Sequence, residues 1–492
     1  MSSAEQTAGA AGQDVETLDL LDQVITATRP QTDQEAARAK DYFRQFLNQV
    51  VKPGQVISKD VEVNVKHWIA EIDSVLTHQL NEILHHPDFQ KLESTWRGLH
   101  YLVHQSETGE NLKIRVLNVS KRDLFKDLEK AAEFDQSALF KKIYEEEYGQ
   151  LGGQPYGMLV GDYDFSRGPE DISLLKMISN VAAASHAPFV ASTSPKMFNF
   201  DSYTELANPR DLAKIFDSVE YAAWKSFRES EDSRFVGLTL PKTLGRLPYG
   251  AEFKRVEEFN FEEFVDGKDH DKYLWMNAAW TYAARITDSF SKWGWFARTR
   301  GVEGGGRVEG LPVHTFPTDD GDVAMKCPTE IAITDRREFE LSNLGFLPLI
   351  HAKGTDYAVF MGAQSCQKPK TYFDPDANAN AELSAKFNLI LCTSRFAHYL
   401  KVMARDKIGS FMEVKDCAQW LNDWIQNFVC DPNGASDETK AKFPLADAKV
   451  EVREVEGRPG WYEAVAYLRP HYQLEALTTS MRLVAEVPKK GG

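Results

Sequence analysis

At 492 residues the chain is too long for one small domain, and 42% hydrophobic against 26% charged residues exclude a disordered polymer. A net charge of −16, from 57 basic and 73 acidic residues, excludes a general nucleic-acid or anionic-membrane binder, because phosphate contacts need clustered Lys and Arg. No run approaches the ~18 apolar residues that span a bilayer, no basic-then-apolar leader opens the sequence, and five cysteines without CxxC spacing read as reduced thiols. These features predict a cytoplasmic protein without membrane insertion, disulfide framework or zinc site.

Residues 14–28 and 33–51 read as amphipathic helices opened by Asp14 and Asp33, with Pro30 and Pro53-Gly54 as breakers. They make an N-terminal helical arm, residues 1–55. The next helix starts after Ser58 and Asp60 and stops at His85-His86-Pro87. Its Val65, Trp68, Ile69, Ile72, Leu76, Leu80 and Ile83 recur at helical spacing. Such a stripe needs a covering helix. Either Phe89, Leu92, Trp96, Leu99 and Val103 of the following helix supply it, or a second protein does.

From Leu112 strands and helices alternate. Ile114–Val119 is extended, Ser120 caps a helix, Tyr156–Gly161 is a strand, Pro169–Ser185 a helix and Pro188–Ala191 a strand. A helix from Asn208 to Glu229 and a strand at Phe235–Leu238 follow. This alternation predicts a largely parallel sheet with helices packed on it. In the helix from Asn208, Leu212, Ile215, Phe216, Val219, Ala223 and Phe227 form the apolar face. Lys214, Ser218, Tyr221, Lys225 and Arg228 fall opposite. That face is either solvated, with pairs such as Lys225 to Glu229, or a local positive surface for a partner.

Two segments invite a chemical reading. Asp162-Tyr163-Asp164 follows a strand, where open α/β sheets bind ligands, and a DxD pair can hold a divalent metal on a nucleotide. Its structural alternative is a turn, with Arg167, Glu170 and Asp171 opening the next helix. Gly301-Val302-Glu303-Gly304-Gly305-Gly306-Arg307 is glycine-rich but lacks the Lys-Ser/Thr of a phosphate loop, and reads as a flexible surface loop. His100 and His104 share a helix face without a third metal ligand.

Asp271–Trp293 reads as an aromatic-rich core helix, Gly345–Met361 as strands and a turn, and the Pro- and Asn-rich 364–380 as a loop and internal boundary. The core region is therefore 56–380 and the C-terminal region 381–492. The latter holds helices at Leu383–Lys407 and Val414–Val429, then strands at Lys449–Val455 and Tyr462–Arg469. In Met481-Arg482-Leu483-Val484-Ala485-Glu486-Val487, Met481, Leu483, Ala485 and Val487 alternate against Arg482 and Glu486 and predict a final strand. It either closes its own sheet or pairs with a neighbouring subunit. The fold class is mixed α/β: a largely parallel central sheet with packed helices, then a C-terminal helix pair and antiparallel strands.

Glu93-Ser94-Thr95-Trp96-Arg97-Gly98-Leu99, Leu247-Pro248-Tyr249-Gly250, Gly345-Phe346-Leu347-Pro348-Leu349 and Arg395-Phe396-Ala397-His398-Tyr399-Leu400-Lys401 occur in this order. They are followed by Gly460-Trp461-Tyr462 and Leu468-Arg469-Pro470-His471-Tyr472-Gln473-Leu474. Together these segments closely resemble the large sheath subunit of type VI secretion systems, the TssC/VipB family, over residues 55–490. The resemblance implies a contractile tail-sheath fold and a structural role, with no catalytic residue and no cofactor. The implied partners are a small sheath subunit (TssB/VipA family), neighbouring copies of that heterodimer, an inner tube protein (Hcp family) and a baseplate. An AAA+ recycling ATPase would act through the small subunit. The same resemblance assigns the stripe from Val65 to Ile83 to the small subunit, Lys225, Arg228 and Asp335 to the inner tube, and 481–487 to a strand between subunits. From residues alone, the competing reading is a metal-dependent nucleotide- or sugar-nucleotide-using enzyme with Asp162 and Asp164.

Overall fold

A computed structural model describes residues 25, 32–50, 61–208, 210–410, 413–457 and 461–473. Most of the expected helix at 14–28, and the whole expected strand at 481–487, lie outside them. The chain divides into two compact units, Met1–Gln90 with Leu247–Tyr273, and Lys91–Arg246 with Leu274–Gly492.

The first unit contains helices α1 (Asp33–Val50) and α2 (Val61–Leu84), together with the irregular segment 247–273. Asn81 ties that segment to α2. Its amide oxygen accepts the Phe264 N–H at 2.7 Å and its nitrogen donates to the Glu262 carbonyl at 2.9 Å. Helix α3 (Pro87–His104) carries the chain from the first unit into the second.

The second unit is built on a six-stranded sheet. Its strands are β1 (Leu159–Phe165), β2 (Phe189–Thr193), β3 (Val236–Leu240), β4 (Arg307–Val308), β5 (Leu347–His351) and β6 (Ala358–Phe360), in spatial order β1-β2-β3-β5-β6-β4. The first four positions pair in parallel; β6 and β4 add antiparallel. Strands β2 and β3 are buried at every residue, which is why they read as short apolar runs without alternation. Helix α4 (Lys121–Lys130) is capped by Ser120, whose hydroxyl accepts the Asp123 N–H. Helix α5 (Pro169–Ser185) starts on Pro169 and stops at His186, which takes a left-handed φ of 50°.

One part of the core gathers Leu174, Leu175 and Ile178 of α5 with Phe165, Phe198, Trp224 and Phe346. Another packs Tyr282 and Ile286 of the helix at Ala278–Trp293 against Phe360, Phe387 and Leu391. The C-terminal helices Phe387–Asp406 and Val414–Gln426 enclose a third cluster with strands β7 (Leu445–Glu454) and β8 (Tyr462–Pro470), where the Trp295 and Phe396 rings stack at 4.1 Å. A largely parallel sheet, packed helices, a C-terminal helix pair and an antiparallel hairpin agree with the fold class read from the sequence.

Several local expectations are corrected. Ile114–Val119, expected as a strand, forms no regular secondary structure and belongs to no sheet. The helix expected from Asn208 to Glu229 is two helices, Leu212–Asp217 and Ala222–Glu229, joined by a 3-10 turn at Val219–Tyr221. The break turns Tyr221 and Trp224 into the core and leaves Val219 and Ala223 outside, because the Tyr221 hydroxyl reaches the Met197 carbonyl at 2.9 Å. The aromatic helix begins at Ala278 rather than Asp271, because Trp275-Met276 first pairs as a short strand with Thr243-Leu244. Within 364–380, Pro375 opens a helix that runs to Ser384. Nor is Gly301–Gly306 a loose loop: a Cβ on Gly304, Gly305 or Gly306 would strike the carbonyl of Arg300, Arg298 or Phe360.

Candidate assembly surfaces

Helix α2 inverts the usual amphipathic arrangement. Its polar Thr77 and Asn81 are buried, Asn81 holding the 262–264 backbone, and His85 pairs with Glu263 at 3.3 Å. Its apolar Ile69, Leu76 and Ile83 stand 52%, 40% and 50% exposed, seven residues apart. Val65, Ile72 and Leu80 are half-buried between these extremes. Trp68 departs from the stripe: it is only 6% exposed and meets the Phe43 ring of α1 edge-on at 5.9 Å. It is thus a core residue of this unit and not a surface contact. Val63 and Val75, which helical spacing did not single out, are also exposed. On α3, Leu92, Trp96 and Val103 remain exposed, so the proposed internal cover leaves apolar surface of its own.

The C-terminal hairpin is a two-stranded sheet in which Tyr462–Arg469 of β8 pair in continuous register with β7, and a bulge between Leu445 and Asp447 precedes the last pair, Leu445 with Pro470. One face packs Ala448, Val450 and Leu468 against Leu421 and Ile425. The outer edge of β7 is closed by side chains of the helix Val414–Gln426. Asn422 accepts the Val450 N–H at 2.8 Å and donates to the Val450 carbonyl at 2.6 Å, and Gln426 donates to the Ala448 carbonyl at 2.8 Å. Among the described residues no strand pairs with the outer edge of β8. Since an unpaired edge is a template for another strand, β8 is the edge on which this sheet can grow.

The residues expected at a tube surface separate. Lys225 is half-exposed, its ammonium 3.2 Å from an Asp217 carboxylate oxygen and 2.9 Å from the Asp217 carbonyl. Asp335 is exposed at the first turn of the helix Asp335–Asn343, where a carboxylate complements the helix dipole. Arg228 corrects the expectation. It is 8% exposed, and its guanidinium donates to the Cys366 carbonyl at 3.0 Å and the Asn343 carbonyl at 2.8 Å. Burial pushes its pKa down to about 10. The break in the helix rotates Arg228 inward, where it serves as an internal strut.

The acidic pair is occupied by protein partners. Asp162 accepts hydrogen bonds from Thr95 at 2.5 Å and the Trp280 indole at 3.1 Å. Asp164 holds the Lys242 ammonium at 2.8 Å. Burial works against that charge, but Asp164 and Glu330 outweigh it and hold Lys242 above the ordinary lysine value. A cation is therefore already in place beside Asp164, and Asp162 orients Trp280, whose ring lies where a Cβ on Gly98 would fall. The His100 and His104 rings stack at 3.8 Å, and His104 bonds the His100 carbonyl. No group of three His, Cys, Asp or Glu among the described residues is arranged to hold a metal ion. Nothing here favours the metal-dependent enzyme.

The chain joins a parallel-rich α/β core to a C-terminal hairpin with one open edge. The family model described as EvpB/VC_A0108, tail sheath N-terminal domain, matches residues 66–367. The one described as EvpB/VC_A0108, tail sheath gpW/gp25-like domain, matches residues 376–487. The type VI secretion system sheath protein TssC1 of Pseudomonas aeruginosa is 55% identical over 463 residues, 94% of this chain and 93% of that protein. Among solved structures, a chain of the anti-feeding prophage baseplate aligns with a TM-score of 0.34 and 9% identity, over 64% of this chain and 66% of that one. A chain of the contracted anti-feeding prophage sheath aligns at 0.31 and 10%, over 63% and 66%. The chain belongs to the VipB (EvpB) tail sheath family and is a contractile-sheath subunit of type VI secretion.

Proposed function

We propose that this subunit pairs with a small sheath subunit of the TssB/VipA family through the outward face of α2, and that the heterodimers polymerise around an Hcp-family inner tube. The observation that carries the pairing is the exposure of Ile69, Leu76 and Ile83 at heptad spacing, the seam geometry by which one helix recruits another. Val65, Ile72 and Leu80 flank the seam. The strand 481–487 adds to the open edge of β8 in a neighbouring protomer, which links heterodimers without a covalent bond. Lys225 and Asp335 face the inner tube. Region 56–380 forms the body of the subunit and 381–492 the linking region; the seam between the two matched families, 367–376, falls just before that division. A baseplate nucleates the polymer, and an AAA+ ATPase recycles it by way of the small subunit.

The work is mechanical, so no cofactor or catalytic residue is needed, and the assembly operates in the cytoplasm. Among the described residues no helix is long and apolar enough to cross a membrane.

Co-expression with the small subunit tests the pairing. Ile69→Asp with Leu76→Asp places charge on a face whose burial would stabilise the complex by roughly 1.5–3 kcal/mol per side chain. The variant should keep the far-UV spectrum of the parent chain and lose the small subunit on purification. Recovery of the small subunit at parental yield overturns this interface.

A further inference from the structure

Of the five cysteines, Cys366 and Cys392 are buried, while Cys327, Cys417 and Cys430 are half-buried, so exposure does not separate the last three. Their neighbours do. The Cys430 sulfur lies 3.1 Å from Nε2 of His471, yet it also donates to the Phe443 carbonyl at 3.5 Å. Burial holds that thiol above, and that imidazole below, their ordinary pKa values. The pair is therefore neutral, and a neutral thiol is a poor nucleophile.

Cys327 and His351 have the opposite polarity. His351 ends β5, and the turn after it brings the Thr355 carbonyl to 2.8 Å from Nε2. A carbonyl can only accept, so Nε2 carries a proton. Nδ1 is then the nitrogen left for the Cys327 sulfur, to which the His351 side chain is hydrogen-bonded. The Thr329 hydroxyl stands 3.2 Å from the same sulfur and is shared with the Ile331 carbonyl at 2.8 Å. The main chain beside the sulfur is pinned, since the Leu244 N–H donates to the Pro328 carbonyl at 2.8 Å and Thr329 bridges to Thr243. Burial opposes a thiolate here, but hydrogen bonds from His351 and Thr329 outweigh it and hold Cys327 below the ordinary thiol value. Burial also opposes a charged His351, and its bonds to Cys327 and the Thr355 carbonyl again prevail and hold it above the ordinary imidazole value. A thiol, a base within hydrogen-bond reach and a third group that orients the base are the parts of an activated nucleophile.

We infer that Cys327, paired with His351, is the reactive thiol of this chain and a modification site for small peroxides. The Cys327 thiolate attacks one oxygen of hydrogen peroxide. An S–O bond forms as the O–O bond breaks, and the sulfur gives up the electron pair that reduces the peroxide. The leaving hydroxide takes the His351 proton and departs as water, so the products are a sulfenic acid and a neutral imidazole.

Mass spectrometry of the full-length chain at neutral pH tests the assignment, with limiting iodoacetamide in one arm and hydrogen peroxide followed by dimedone, which traps sulfenic acid, in the other. In the parent chain Cys327 should alkylate roughly tenfold faster than Cys417 or Cys430 and should carry the dimedone adduct. His351→Gln keeps a hydrogen-bonding side chain without a titratable ring, and should lower the Cys327 rate roughly tenfold. The buried Cys366 and Cys392 report on folding and should stay unlabelled in both chains. The ranking in the parent chain decides the matter without any variant: if Cys417 or Cys430 reacts as fast as Cys327, the assignment is overturned. An unchanged Cys327 rate in a folded His351→Gln chain overturns the role of the pair. Fast alkylation of Cys327 with no dimedone adduct after peroxide overturns the peroxide as its substrate.

Discussion

The side chain of Asn422 brackets Val450, accepting its N–H at 2.8 Å and donating to its carbonyl at 2.6 Å. Two main-chain groups that would otherwise face an open sheet edge are satisfied by one amide, and Gln426 repeats half of the arrangement at Ala448. The sheet is therefore protected on its β7 side and available on its β8 side, which gives strand addition a direction.

Asn422→Leu keeps the volume and removes both bonds. Two half-buried main-chain groups lose their partners, a cost of about 1–3 kcal/mol each when unsatisfied, with some return from water at the edge. The melting temperature of the isolated chain should fall, and pelleting under dilute conditions should rise as the second edge opens. An unchanged melting curve with no added self-association would show that the bracket is not what closes β7.

A pH dependence follows from His398. Burial pushes its pKa down to about 3, further than the hydrogen bond to the Ser185 carbonyl can restore, and Arg395, His186 and Lys401 add repulsion. Tyr148 packs edge-on against the ring at 5.3 Å. In the unfolded chain the same imidazole takes a proton near pH 6.5. The unfolded state thus binds more protons between pH 6.5 and 3, so the folded state is fully favoured above pH 6.5 and loses stability as pH falls through that window. From pH 6.5 to 5 this group alone contributes a loss of about 2 kcal/mol. His398→Gln should lower stability at pH 7.5 but flatten its decline between pH 7 and 5, read from urea midpoints. His186, also shifted down by burial, leaves a residual slope; an undiminished slope in the variant would place the titration elsewhere.

The parts of this fold that local chemistry dictates could be read from the chain. Strands β2 and β3 are short, mostly apolar runs buried at every residue, and α5 carries its own start in Pro169, Glu170 and Asp171. What periodicity could not supply is which residue of a stripe is covered. Trp68 and Ile69 are adjacent, yet Trp68 is buried and meets Phe43 of α1 while Ile69 is open, and further along the same helix the buried Asn81 grips Phe264, 183 residues away. Arg228 is likewise placed by distant partners: the carbonyls it supports, Cys366 and Asn343, lie 138 and 115 residues further on. Helical spacing grouped it with Lys225 because nothing local marks the 3-10 turn at Val219–Tyr221.

Removal of residues 476–492 separates linkage from pairing. If the strand 481–487 joins the β8 edge of another protomer, the truncated chain should stay folded, keep the small subunit, and elute as heterodimer where the full chain forms tubes visible by negative-stain microscopy. Loss of solubility on truncation would instead assign the strand to the sheet of its own chain.

Charge reversal at Lys225 and Asp335 tests the tube surface, and Arg228 supplies the contrast. Lys225→Glu gives up a half-exposed pair with Asp217, worth at most about 1 kcal/mol. Asp335→Lys loses a favourable helix-dipole contact of about 0.3–1 kcal/mol. The double variant should therefore fold and pair with the small subunit like the parent. A single ionic contact to the tube is equally weak, but its repetition on every subunit sets register and avidity. Tube-filled sheaths should accordingly disappear from cells that carry the double variant, while sheath protein stays at parental abundance. Arg228→Glu, by contrast, buries a carboxylate against two carbonyl oxygens, a loss of about 3–5 kcal/mol, and should lower abundance before any question of the tube arises. Parental numbers of tube-filled sheaths in the Lys225→Glu, Asp335→Lys strain would remove both residues from the tube surface.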